Sequence, residues 1–192
     1  MSLATNPTAT LPPLTGKTAL ITGASKGIGA ATALLLSQLG AKVIINYSSD
    51  PTPADALVQQ LGPSNAIAIR ANAGSVSDIE RLVAESIAWP ESNGKIDILI
   101  PNAGISIMSS VEQTSEEDFD LTYNLNVKGP YFLVQKALPY MSSGAHVVLL
   151  STSLCASSTI TPNYLLYTSS KGAIEQMTRI LAKDLGGKGI NV

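Results

Sequence analysis

Five short runs rich in Val, Ile, Leu and Ala recur along the chain, at 17–23 (KTALITG), 42–47 (KVIINY), 66–71 (AIAIRA), 96–104 (IDILIPNAG) and 145–153 (AHVVLLSTS). Stretches of helical character separate them, at 27–40, 53–62, about 75–88, about 115–142 and 163–186. Strands that are apolar along their whole length need cover on both faces. Strands joined through helices run parallel with right-handed crossovers. The alternation therefore predicts an α/β fold built on a doubly wound parallel sheet. With 45% apolar and 14% charged residues in 192, the chain has enough core material for one such domain.

Local signals set the expected boundaries. Gly40 closes the first helix, and Pro53 opens the second. Ser75 with Asp78 three residues on resembles a capping box with Asp in place of Glu. Pro130 predicts a break or bend inside 115–142. Residues 1–14, rich in Pro and Thr, read as a flexible lead-in without the basic and apolar regions of a secretory signal. Residues 15–192 then form a single domain, since no repeat or inner linker divides them. No apolar run approaches the roughly 20 residues of a membrane span. The net charge of −2 offers no footprint for nucleic acid or an anionic membrane. One cysteine, Cys155, and one histidine, His146, leave neither a disulfide nor a metal-ligand cluster. His146 begins a strand and is read as structural. The sequon at Asn46 carries little weight without a signal peptide. The expectation is a cytoplasmic protein.

The junction after the first strand reads TGASKGIG, residues 22–29, with Gly23, Gly27 and Gly29 spaced G-x-x-x-G-x-G. Glycines there permit a tight turn and let backbone N–H groups reach a pyrophosphate. The following helix offers its unpaired N–H donors and partial positive charge. At the first strand-to-helix junction of a parallel sheet this predicts a Rossmann-type dinucleotide site, with Ser25, Lys26 and Ile28 in the loop. A Walker loop does not fit, because GKT at 16–18 precedes the strand. The second strand ends in NYSSD, so Asn46, Tyr47 and Ser48 stand where an acidic residue would bind a ribose 2′-OH and repel a 2′-phosphate. With Lys26 nearby, these neutral hydrogen-bonders point to NADP(H). The competing reading gives the acidic role to Asp50.

PNAG at 101–104, NVKG at 126–129, STS at 151–153 and YTSSK at 167–171 follow the glycine loop in order. Together these motifs resemble the short-chain dehydrogenase/reductase family in its compact single-domain branch, from about residue 14 to 192. The resemblance implies a nicotinamide cofactor, a small carbonyl or alcohol substrate, and a catalytic set of Ser153, Tyr167, Lys171 and Asn126. It also implies adenosine-side contacts at Asn72, Asn102, Ala103 and Gly104, and pairing into a homodimer or homotetramer through the long helices. The chemistry can be argued separately. A carbonyl that accepts hydride needs a proton at oxygen, and a phenol is a poor proton partner at neutral pH. Helical spacing brings Lys171 to the face of Tyr167. An ammonium about 4 Å away favours phenolate by roughly 4 kcal/mol at an effective dielectric of 20. Tyr167 is then the acid/base. Lys171 tunes it and, by the resemblance, holds the nicotinamide ribose. Ser153 hydrogen-bonds the substrate oxygen, and Asn126 holds a water that links Lys171 to solvent.

The sequence also departs from the family pattern. Pro101 stands where an asparagine is usual, and Asn72 where an aspartate is common. Ser153 precedes Tyr167 by slightly more than the usual spacing, which leaves Ser151 as a second candidate. Tyr164 has no lysine four residues on and is read as a substrate-side or packing aromatic. GGKGINV at 186–192 reads as a loop and the opening of a sixth strand. Family members continue from there through the last strands and a substrate lid, so the domain is read as incomplete at its C-terminus. Two functions stay open: a ketoreductase, or a non-catalytic dinucleotide- or partner-binding relative. The larger epimerase branch ranks third, because its glycine spacing and chain length differ.

Overall fold

The computed structural model describes residues 12–192. Five strands form one parallel sheet: β1 (Thr18–Ile21), β2 (Lys42–Tyr47), β3 (Ala66–Arg70), β4 (Ile98–Ile100) and β5 (His146–Val147), in the order β3-β2-β1-β4-β5. Six helices connect and cover them: α1 (Gly27–Gln38), α2 (Thr52–Leu61), α3 (Val76–Ala88), α4 (Glu116–Tyr123), α5 (Gly129–Ala137) and α6 (Leu165–Gly186). The doubly wound α/β sheet is as expected. Of the lead-in read over 1–14, residues 1–11 lie outside the described residues. Residues 12–14 form a turn in which the Leu14 N–H donates to Leu39 O at 2.8 Å.

Strand alternation divides the core in two. Leu20, Ile44, Ile69, Leu99 and Val147 face one side, where Leu82, Leu133 and Leu185 of α3, α5 and α6 cover them. Ile21, Val43, Ile45 and Ile100 face the other, against Ala33 of α1 and Leu57 of α2. Both faces are buried, which is why these strands read as unbroken apolar runs.

The bend predicted by Pro130 is a π-helical turn, Asn124–Lys128, between α4 and α5. Pro130 has no N–H for the α-helical acceptor four residues back, Asn126, so the ladder cannot continue in α register. Instead the Gly129 N–H donates to Asn124 O, five residues back. At α3, Ser75 accepts from the Asp78 N–H at 3.4 Å, but Asp78 Oδ2 turns to the Asn72 N–H at 2.7 Å. Only half of the capping box forms. β5 is shorter than the run at 145–153, although the Val148 N–H still donates to Leu99 O. On its far side His146 makes a parallel bridge to Asn191, the expected opening of a sixth strand. Among the described residues no helix is long and apolar enough to cross a membrane.

Candidate active site

The winding reverses between β1 and β4, and a cleft of about 620 Å³ opens there, at the carboxyl ends of the strands. Gly23, Ser25, Lys26, Asn46, Tyr47, Ser48, Asn72, Asn102, Ala103 and Gly104 line it, all of them residues expected from sequence. Gly23 takes a φ of +61°, and a Cβ there would stand 3.0 Å from the Ala103 Cα. Gly29 lies buried behind the loop, where a Cβ would come within 2.7 Å of Gly23 O and Asn102 Nδ2. Lys26 is the N-cap of α1 and supplies no side-chain cap, so the first N–H groups of the helix keep their capacity for an anion.

Three buried or half-buried polar side chains hold this loop in shape. Asn46, 1% exposed, accepts from the Gly23 N–H at 3.2 Å and donates to Ala71 O at 2.9 Å. Its amide is thus bonded within the protein, although the residue still lines the cleft. Asn102 donates to Thr22 O and Gly23 O at 2.8 and 3.2 Å. Thr22, which sequence reasoning missed, accepts from the Asn102 and Ala103 N–H groups, both at 3.1 Å. A lone threonine after a strand gives no sequence signal for this role.

At the rim, Ser48 O accepts from Arg70 Nε at 3.1 Å. Asp50 accepts from the Thr52 N–H at 2.9 Å, which starts α2. That bond, then the Thr52 side chain, and more weakly Lys26, hold its carboxyl below the ordinary carboxylate range. Asp50 holds the first N–H of α2, and the cleft is lined by its neutral neighbours.

A second cavity of about 200 Å³ adjoins the cleft and shares Asn102, Gly104 and Ile105 with it. Ile28, Ser106, Leu150, Ser151, Tyr167 and Lys171 complete its wall. The Lys171 ammonium stands 5.9 Å from the Tyr167 ring centroid and donates to Leu150 O at 2.8 Å. The two side chains face each other, with the amine over the ring. Burial pushes the Lys171 amine below the ordinary lysine range, and the Cys155 thiol opposes this weakly. Asn126, 1% exposed, gives its two amide donors to Ile105 O and Ser170 Oγ, at 2.9 and 3.0 Å, and accepts from the Ile105 N–H at 2.9 Å. It fixes the loop after β4 to α6. Ser153 lies exposed at the start of a 3₁₀ turn, Ser153–Ala156, and does not line the cavity. Ser151 does, with its hydroxyl donating to Glu175 Oε1 at 2.8 Å. Glu175 was missed, although it repeats the four-residue spacing of Tyr167 and Lys171.

The sequence matches the short chain dehydrogenase family over residues 17–192. The chain belongs to that family. Hydroxynaphthalene reductase-like protein Arp2 of Metarhizium robertsii is 39% identical over 181 residues, covering 93% of this chain and 66% of the relative. A short chain dehydrogenase from Burkholderia cenocepacia in complex with NADP superposes with a TM-score of 0.87 at 35% identity, covering 93% of this chain and 72% of that one. The angucycline C-6 ketoreductase LanV with bound NADP gives 0.84 at 34% identity, covering 92% and 70%. This short-chain dehydrogenase chain thus spans about two thirds of the length of its curated relatives. Its strand order and its cleft at the winding reversal accord with that membership.

Proposed function

We propose that this chain carries the cofactor and catalytic half of an NADP(H)-dependent reductase that converts a carbonyl to an alcohol. The observation that carries the reading is that Tyr167 and Lys171 line a cavity that shares Asn102, Gly104 and Ile105 with the cleft at the glycine loop. A nicotinamide cofactor bound there supplies the hydride. The uncapped N-terminus of α1 takes the pyrophosphate, and Tyr47, Ser48 and Lys26 meet the adenosine ribose without a carboxylate to repel a 2′-phosphate. The NADP carried by the Burkholderia dehydrogenase and by LanV supports the same choice.

As hydride reaches the carbonyl carbon, the Tyr167 hydroxyl gives its proton to the oxygen and forms the O–H bond of the alcohol. Lys171 stabilises the phenolate left behind, and Ser153, two residues beyond the cavity wall at Ser151, is assigned to the substrate oxygen. Asn126 holds the loop after β4 to α6 beside Lys171, through which a proton returns from solvent. The names of Arp2 and LanV suggest an aromatic or polyketide-like carbonyl as substrate class. The exposed position of Ser153 favours a second reading, a dinucleotide-binding protein without turnover.

NADPH and NADH oxidation measured with a panel of aromatic and β-keto carbonyls tests the choice. Oxidation that needs the carbonyl and prefers NADPH is expected. Tight NADPH binding with no turnover across the panel overturns the reductase reading in favour of the second.

A further inference from the structure

The face of α6 that carries Tyr167 and Lys171 continues one turn further to Glu175. Two consecutive residues leaving β5 are tied to this face. Leu150 is held through its carbonyl by Lys171 Nζ at 2.8 Å, and Ser151 through its hydroxyl by Glu175 Oε1 at 2.8 Å. The segment then enters the 3₁₀ turn that starts at Ser153, where Thr152 Oγ1 accepts from the Leu154 N–H and Cys155 Sγ reaches Thr168 O at 3.7 Å. Glu175 lines neither cavity, whereas Ser151, which it holds, lines the smaller one.

We propose that Glu175 is a positioning residue, which holds Ser151 and thereby fixes residues 150–153 against α6. The inference rests on the reductase reading of Tyr167, Lys171 and Ser153. On that reading Lys171 also serves the cofactor ribose, so the Ser151–Glu175 bond is the tie on this segment that does not depend on the contacts of the lysine. The charged acceptor makes this bond stronger than a neutral one and gives it that role.

The test compares Glu175→Ala, Glu175→Gln, Ser151→Ala and the double alanine variant in kcat, KM, NADPH affinity and amide hydrogen exchange over 150–156. Glu175→Ala and Ser151→Ala each lower kcat about tenfold, the scale of one charge-assisted hydrogen bond. The double variant loses no more than either single one. Glu175→Gln, whose amide oxygen accepts the same bond, recovers most of the rate. NADPH affinity stays within about twofold, since the cradle is untouched. Exchange over 150–156 rises in both alanine variants and stays near wild type in Glu175→Gln.

Wild-type kcat and exchange in Glu175→Ala overturn the proposal. So does a loss that Gln does not recover, or a Ser151→Ala loss far beyond that of Glu175→Ala, which would make Ser151 the substrate-binding hydroxyl. If an alanine variant fails to fold, Glu175→Gln and the remaining single variant decide. If the wild type turns over no carbonyl, the reductase reading falls, and unchanged exchange in the alanine variants sinks the tie by itself.

Discussion

Lys171 is 7% exposed, and its amine is held by the Leu150 carbonyl. Burial disfavours its charged form, so its folded pKa lies below the ordinary 10.5. Between those two values the unfolded chain binds the extra proton, and stability contributed by this residue rises with pH. Below the lowered pKa the full cost of burying the charge is present. The unfolding free energy of wild type relative to Lys171→Met should therefore move in favour of wild type as pH climbs towards 10.5. Urea unfolding of both proteins across that range checks it, and a flat or opposite trend contradicts it. Gly29 makes a steric prediction. A Cβ 2.7 Å from Gly23 O forces the loop apart, so Gly29→Ala should cost about 1–3 kcal/mol and weaken NADPH binding, read by thermal melting and fluorescence titration. Tyr167, Lys171 and the glycines were legible at this scale because helical spacing and turn chemistry are local. The Ser151–Glu175 contact was not, because it joins a strand end to a helix 24 residues on through a loop whose path no periodicity fixes.

At the scale of elements, the cleft exists because β1, β2 and β4 end together and are laced across their ends. Asn46, Thr22 and Asn102 do this lacing. Thr22→Val keeps the shape of the side chain but removes the acceptor for the Asn102 and Ala103 N–H groups. It should cost about 1–3 kcal/mol and loosen the glycine loop, seen as a lower melting temperature and a larger NADPH Kd. The helices and the inner strands were readable from sequence because both faces of the sheet are covered and the apolar runs are unbroken. The lacing was not readable. Asn46 bonds Gly23 and Ala71, 23 and 25 residues away, and no local pattern fixes such pairs. The length of β5 was overread: apolar residues continue to Leu150, but the regular pairing with β4 covers only His146 and Val147.

At the scale of the whole molecule, the parallel order puts the cleft at the winding reversal, beside a second cavity that shares three lining residues with it. A ligand that fills the cleft stabilises the folded state by mass action. NADPH at about 100 times its Kd adds about 2.7 kcal/mol, equivalent to a rise of about 5–10 °C in Tm for a domain of this size. NADH at the same concentration should raise it less, and an equal shift would contradict the assignment of Tyr47, Ser48 and Lys26 to a 2′-phosphate. The fold class was legible because a chain of alternating apolar strands and helices has few ways to bury both. The substrate was not, since no motif in the sequence encodes the surface that would recognise it. The central claim is that Tyr167 is the proton donor in the cavity beside this cleft. Its most direct test is kcat for carbonyl reduction by Tyr167→Phe beside its NADPH Kd. The account predicts kcat lowered by about a hundredfold or more with the Kd within about twofold of wild type; a variant that keeps its rate would contradict it.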